Sequence, residues 1–313
     1  MWYNLNIMLI NILLLIVGLF LLIRGANTFV DGATSLAHRF NIPEIIIGLT
    51  IVAMGTSAPE AAVSITSVLH GANGVAIGNA LGSNIVNILL VLGGAALITP
   101  LRFQKETIRY EIPFVIFITI MLMWFGVQYG AITRFAAGIL LLFFCVFLGY
   151  LVFADKKEFF QTEEGQFMSS GKIMLFLVLG LIALVWGSDL TVKSATNLAT
   201  LLHVPHRIIG LTLVAFGTSL PELVTCIAAA RKKRTSLVIG NIIGSNIFNI
   251  LFVLGISGLV RSIYFEYGFV IDAAISVMIT IMLWLFAIHA QKLSKRAGLL
   301  FLLCYAGYLI YLI

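Results

Sequence analysis

Apolar residues in this chain come in long unbroken runs, at about 7–24, 42–69, 74–98, 109–128, 132–153, 172–190, 205–230, 235–260, 266–289 and 297–313. Short clusters of charged and turn-forming residues separate them. No run alternates with period two, as a membrane β-barrel strand must, and most reach the ~20 residues that a helix needs to cross the hydrocarbon core. The pattern predicts an all-α polytopic membrane protein with ten transmembrane helices. The first run lacks a basic leader and a small-residue cleavage site, so it is expected to remain as the first span. Composition agrees: 61% of residues are apolar and 10% charged, against about 25% charged in soluble domains. No sizeable soluble domain is expected.

The chain carries 19 Lys and Arg against 13 Asp and Glu, a formal net charge of +6. On a soluble protein that excess would suggest a polyanionic partner such as nucleic acid. Here the basic residues punctuate the runs and report topology. The connections after helices 1, 3, 5, 7 and 9 hold 15 of the 19, from Arg24 and Arg39 to Lys295 and Arg296. The other side keeps Arg134, Lys193, Arg207 and Arg261. The positive-inside bias puts the richer side in the cytoplasm of a cell (plasma or inner) membrane and both termini outside. Residues 154–171, with Asp155, Lys156, Lys157, Glu158, Glu163 and Glu164 and no EF-hand spacing, read as a solvated cytoplasmic linker. Cys145, Cys226 and Cys304 lie in apolar stretches without metal or disulfide spacing and read as packing residues.

An internal repeat organises the chain. GLTIVAMGTSAPE at 48–60 recurs as GLTLVAFGTSLPE at 210–222, and GNALGSNIVNILLVLG at 78–93 recurs as GNIIGSNIFNILFVLG at 240–255. The offset is 162 residues in both cases, and 24 of 46 aligned positions from 48 to 93 are identical without a gap. Pro43 with Pro205, and Gly18 with Gly180, keep the same offset. Five helices lie within it. An odd number means that the second copy crosses the membrane in the opposite sense, which is the inverted-repeat plan of many transporters. The expected units are a first five-helix repeat over 1–153 and an inverted second over 172–313.

The repeated residues carry the candidate chemistry. An ionised carboxylate at a helix centre costs roughly 2.5–3.5 kcal/mol on insertion scales, yet Glu60 and Glu222 lie well inside helices 2 and 7. Neither motif holds Lys, Arg or His, so a bound cation is the expected partner of both acids. Pro59 and Pro221 precede the acids and should open each helix, displacing the carbonyls of Gly55 and Gly217. Thr56 and Ser57, with Thr218 and Ser219, are expected on the face of the acids. On helices 3 and 8, Asn79, Ser83 and Asn87 match Asn241, Ser245 and Asn249 at i, i+4, i+8. These stripes form a second polar wall, where Asn87 and Asn249 should orient the glutamates, while Gly78, Gly82, Gly240 and Gly244 permit close packing. Hydroxyls, carbonyls and carboxylates suit hard cations such as Na⁺ or Ca²⁺. Asn27, Asp31 and Asp189 are placed near the ends of helices 1 and 6, and Glu111, Glu266 and Asp272 near other span ends, all in structural or interfacial roles.

The doubled GTS-x-PE and GN-x-x-GSNI-x-NI motifs resemble those of the cation/Ca²⁺ antiporter superfamily, in particular prokaryotic Na⁺/Ca²⁺ exchanger-like proteins, over nearly the whole chain. That resemblance implies a cation-binding core of helices 2, 3, 7 and 8, with helices 1 and 6 moving against it. It implies Ca²⁺ binding by Glu60 and Glu222 with Thr56 and Thr218. Ser57, Ser83, Asn87, Ser219, Ser245 and Asn249 would contribute to Na⁺ or central sites, as would Ala53 and Ala215 through backbone oxygen. One branch has Asp where this chain has Asn249. A proton-coupled branch carries GN-x-x-E in place of GTS-x-PE, so the resemblance favours sodium coupling, with H⁺-coupled exchange of Ca²⁺ or another divalent cation as the alternative. The expected partners are Ca²⁺, Na⁺ and the bilayer; no cofactor, nucleic acid or protein partner is inferred. A cation channel would use a pore lined by rotational symmetry rather than two inverted broken helices. A lipid-phosphate hydrolase would need Arg or Lys on its phosphate, and none lies between Gly48 and Gly93.

Overall fold

The computed structural model describes residues 2–153, 168–201 and 215–312. Almost all of them are helical. In chain order they form α1 (Trp2–Arg39), α2 (Glu44–Thr56 with Ala58–Leu69), α3 (Gly74–Ile98), α4 (Thr107–Tyr129) and α5 (Arg134–Phe153). After residue 168 come α6 (Ser170–Leu201), α7 (Ala215–Thr218 with Leu220–Arg231), α8 (Thr235–Val260), α9 (Tyr267–Ala290) and α10 (Lys295–Leu312). Among the described residues, eight helices are long and apolar enough to span a membrane, and the bent α2 makes a ninth. The expected start of the seventh helix, 205–214, and most of the linker, 154–167, lie outside the described residues.

Two helices depart from the apolar runs that announced them. The first run ends at residue 24, but α1 continues to Arg39, a length of 38 residues, or about 57 Å at 1.5 Å per residue. Arg24, Asn27 and Asp31 are therefore residues of a continuous helix, not of a connection. Local bonding explains the continuation: Asn27 Nδ2 donates to the Ile23 carbonyl and Thr28 Oγ1 to the Arg24 carbonyl, each at 2.9 Å. The polar side chains satisfy the turn behind them instead of ending it. The sixth run likewise extends to Leu201, and Asp189 pairs with Lys193 one turn on at 2.9 Å.

α1 and α6 lie antiparallel along one another. Gly25 and Gly180 permit this approach: a methyl group on Gly25 would sit 2.9 Å from the Gly180 carbonyl oxygen, and one on Gly180 would sit 2.7 Å from the Phe29 nitrogen. In a bilayer, where the surroundings are as apolar as the helix, such backbone contact supplies dispersion that larger side chains would prevent. Behind this pair sit α2, α3, α7 and α8. α8 is the most enclosed, with 94% of its apolar window buried against 17% for α10. Outer helices obey the same pseudo-symmetry, with α5 packed on α8, α10 on α3, and α4 on its repeat mate α9.

Among the described residues, four two-residue strands tie the halves together at the helix ends: β1 (Leu101–Arg102), β2 (Ala131–Ile132), β3 (Ile263–Tyr264) and β4 (Lys292–Leu293). β1 pairs antiparallel with β4 and β2 with β3, so both ribbons join one repeat to the other. Nothing in the hydropathy pattern announced them. β2 follows a left-handed turn at Gly130 (φ 61°), whose N–H bonds back to the Gly126 carbonyl at 2.9 Å and stops α4.

Candidate functional site

The centre of the molecule is built where α2 and α7 break. The two segments of α2 meet at 47°, with Ser57 at φ −85°, ψ 9° between them; Ser219 holds nearly the same conformation in α7, φ −87°, ψ 5°. Pro59 and Pro221 open the following segments. A proline is tolerated there because the first turn of a helix has no use for its N–H. Glu60 and Glu222 fall in that first turn, at the positive end of the new helix dipole. The preceding segments end nearby, exposing the negative, carbonyl end of their own dipoles. One of the freed carbonyls, Gly217 O, accepts a bond from Ser188 Oγ of α6 at 2.8 Å. At the matching position α1 has Ala26, which has no hydroxyl to offer.

Contacts across the site are reciprocal between the repeats. Ser57 Oγ donates to Glu222 Oε1 at 2.7 Å, and Ser219 Oγ to Glu60 Oε1 at 3.5 Å. Each serine therefore serves the acid of the other half, a correction to the expectation that it would stand with the acid on its own helix; the break at the serine turns its side chain across the pseudo-two-fold. Thr56 Oγ1 donates to Asn241 Oδ1 at 3.2 Å and Thr218 Oγ1 to Asn79 Oδ1 at 3.4 Å. Asn79 in turn donates to the Glu60 carbonyl at 3.1 Å and to Ser64 Oγ at 2.9 Å. Its counterpart Asn241 donates to Cys226 Sγ at 3.3 Å. Cys226 thus occupies the Ser64 position and closes a polar chain, a role beyond packing. Ser83 lies beside Glu60 and Ser245 beside Glu222. The Ala53 carbonyl already accepts the Ser57 N–H at 3.0 Å and Thr56 Oγ1 at 3.4 Å; Ala215 opens the described part of α7.

Asn87 and Asn249 do not reach the glutamates through their amide donors, as the polar stripe had suggested. Asn87 Nδ2 donates to Asn246 Oδ1 at 3.1 Å and Asn249 Nδ2 to Asn84 Oδ1 at 3.2 Å. Asn84 and Asn246 also exchange bonds with one another's carbonyls, at 3.1 and 3.4 Å. Sequence reasoning missed this pair because it sits one residue off the i, i+4, i+8 stripe. The signal was present: both belong to the repeated GSN at the 162-residue offset. Packing of α2 on α8 passes through Gly240 and Gly244, where an added methyl would lie 2.5 Å from the Ile45 carbonyl oxygen and 2.6 Å from that of Leu49. The partners expected for Gly78 and Gly82, around residues 207–211, lie outside the described residues.

Among the buried side-chain oxygens of the described residues that have no hydrogen-bond partner, six belong to the repeated motifs, three from each repeat: Glu60 Oε2, Ser83 Oγ and Asn87 Oδ1, and Glu222 Oε2, Ser245 Oγ and Asn249 Oδ1. Buried polar atoms are otherwise paired in the great majority of cases. Both glutamates are at most 1% exposed, and neither takes part in an ion pair among the described residues. Two carboxylates and four neutral oxygens are all hard donors, which suit cations such as Na⁺ or Ca²⁺. Among the described residues no three His, Cys, Asp or Glu side chains cluster.

A family model described as sodium/calcium exchanger protein matches residues 10–153 and 172–313, which includes both broken helices and both polar stripes. The chain belongs to that family. Its membership makes it an integral membrane transporter built as two inverted five-helix repeats. The putative antiporter CaxA of Alkalimonas amylolytica is 39% identical over 90% of this chain and 91% of its own length. The sodium/calcium exchanger MaX1 of Methanosarcina acetivorans is 31% identical over 91% and 93%. Among solved structures, the sodium-calcium exchanger NCX_Mj soaked with Na⁺ and Sr²⁺ superposes with a TM-score of 0.84, at 34% identity over 96% of this chain and 97% of that chain.

Proposed function

We propose that this exchanger-family chain moves Na⁺ against Ca²⁺ by alternating access, binding both ions in turn between Glu60 and Glu222 at the membrane midplane. The observation that carries the reading is the pseudo-symmetric set of six unpartnered buried oxygens around two acids without a basic partner. Thr56 and Thr218 complete the Ca²⁺ set with the two glutamates. Ser57, Ser83, Asn87 and their mates Ser219, Ser245 and Asn249 serve Na⁺, with the Ala53 and Ala215 carbonyls. The α1–α6 pair, held to the core through Ser188 and the Gly217 carbonyl, slides across the site and exposes it to one side at a time. The function is transport, a reading supported by membership of the sodium/calcium exchanger family. The two functional units are residues 1–153 and 172–313, joined by a cytoplasmic linker at 154–171. The protein works in the bilayer of the cell membrane with both termini outside.

Charge arithmetic makes the cycle testable. Two ionised glutamates give an empty site −2, which one Ca²⁺ or two Na⁺ neutralise. Asn87 and Asn249 add nothing, so a third Na⁺ leaves the loaded core at +1 and each turnover moves one net charge. Carbonyls at the breaks and the hydroxyls around them spread that charge over several dipoles. In K⁺-loaded proteoliposomes with valinomycin setting the voltage, Na⁺-driven ⁴⁵Ca²⁺ flux should follow membrane potential and survive a protonophore. Flux indifferent to voltage would eliminate the three-for-one cycle. Flux driven by a pH gradient without Na⁺ would assign the protein to proton coupling.

A further inference from the structure

Among the described residues, one buried acid, Glu111, lies away from the central site. Glu111 closes a π-helical turn, Thr107–Glu111, at the start of α4. Such turns carry one extra residue and recur at functional positions; here the loosened Ile108 carbonyl is taken up by Trp284 Nε1 of α9 at 2.8 Å. Glu111 is 5% exposed. Tyr150 of α5 donates to its Oε1 at 3.4 Å, while Oε2 has no partner. Among the described residues Glu111 forms no ion pair, and nor does Arg109, whose guanidinium lies 5.5 Å above the Tyr110 ring.

Both residues line one groove between α4 and α5, with a volume of about 370 Å³. Its polar end is Arg109, Tyr110, Glu111 and Tyr150; its other end is apolar, including Phe114 and Phe147, whose rings stack at 5.7 Å. α4 enters the membrane from the side that carries Arg102, Lys105 and Arg109. The groove therefore runs from the level of the headgroups towards the acyl chains, and Glu111 to Phe117 spans about 9 Å of helix. A charged, amphipathic groove facing lipid selects its occupant by the charges at its mouth.

We propose that this groove is a specific site for a phospholipid whose headgroup bears a phosphate and a primary amine, as in phosphatidylethanolamine. Arg109 holds the phosphate, which suits its planar fork of donors. The free Glu111 Oε2 accepts an N–H from the ammonium and gains the counter-charge that the protein does not provide. One acyl chain lies along Phe114, Phe117 and Phe147. A trimethylammonium group has no N–H to donate, so a choline headgroup is discriminated against. A glycerol headgroup has no cation and leaves the acid uncompensated.

The test measures lipid binding to the purified full-length protein by native mass spectrometry, with phosphatidylethanolamine, its mono- and dimethyl derivatives, phosphatidylcholine and phosphatidylglycerol of equal chain length. The amine lipid should bind at least tenfold more tightly than the choline lipid, with the sharp loss at the third methyl group. Glu111→Gln should shrink that preference below threefold and leave phosphatidylglycerol unaffected, while Arg109→Ala should weaken all five lipids. Equal binding of amine and choline lipids by the wild-type protein overturns the proposal. So does a preference for phosphatidylglycerol, or an amine preference that survives Glu111→Gln. The methylation series needs no variant, so a poorly folded Glu111→Gln still leaves a decision, and the readout does not depend on the transport cycle.

Discussion

Replacing Glu222 with Gln keeps the volume of the side chain and, at Oε1, the acceptor that Ser57 Oγ meets at 2.7 Å. It changes two things: the site loses one negative charge, and the unpartnered Oε2 becomes an amide nitrogen that turns hydrogens towards the cation. Removing one member of a buried, compensated charge pair costs about 3–5 kcal/mol, so Ca²⁺ affinity should fall by roughly two to nearly four powers of ten. The empty protein responds in the opposite sense. Without Ca²⁺, Glu60 and Glu222 are two like charges sharing one buried site, and the substitution removes that repulsion. Thermal unfolding in detergent separates the two effects. A ligand at 100 times its Kd stabilises the folded state by about 2.7 kcal/mol, so wild-type protein should melt at higher temperature in Ca²⁺. The Glu222→Gln variant should melt no lower than wild type in chelator and lose the Ca²⁺-dependent increase. ⁴⁵Ca²⁺ uptake into proteoliposomes should fall in parallel, with Glu60→Gln behaving alike. If Glu222→Gln lowered the melting temperature in chelator yet kept the full Ca²⁺ shift, the acid would be a structural residue and the two-glutamate site would be wrong.

The serines should prove unequal: Ser57→Ala removes a short bond to a carboxylate, worth about 1.5–3 kcal/mol, while Ser219→Ala removes one at 3.5 Å and should cost less. Calorimetric Ca²⁺ titration of the two variants would show it, and equal losses would mean that the reciprocal contacts are equivalent in solution. Asn249→Asp adds a third acid and sets its oxygen against Asn84 Oδ1, the present acceptor of Asn249 Nδ2 at 3.2 Å. It should change the Na⁺ dependence of exchange, and unchanged Na⁺ affinity and cooperativity would remove Asn249 from the site. Gly187→Val should disrupt the α1–α6 pair, because even a methyl group there would lie 2.8 Å from the Leu22 nitrogen. Overpacking of this kind costs about 1–3 kcal/mol or more; normal flux and melting temperature would show that the helices separate freely.

Much of the architecture was legible in the sequence because a bilayer leaves few choices. A chain that must satisfy its own backbone hydrogen bonds in hydrocarbon becomes helical wherever it is apolar for long enough, and a 162-residue offset spanning five crossings forces inversion. The repeated motifs also identified the central acids, since an unpaired carboxylate in a membrane is too costly to lack a purpose. Hydropathy could not see where α1 and α6 end: Asn27, Thr28 and the Asp189–Lys193 pair read as polar interruptions, yet each bonds within its helix and lets it continue. Nor could it see the strand ribbons, whose two-residue pairings join distant parts of the chain. In the site, residue types and helix faces were readable, but partner choice was not. Helical periodicity places a side chain on a face of its own helix. Only the tertiary structure decided that Ser57 crosses to Glu222 and that Asn87 turns its donor to Asn246, because those outcomes depend on how helices from the two halves meet, and that Glu111 keeps a buried unpartnered oxygen, which depends on how α5 packs on α4.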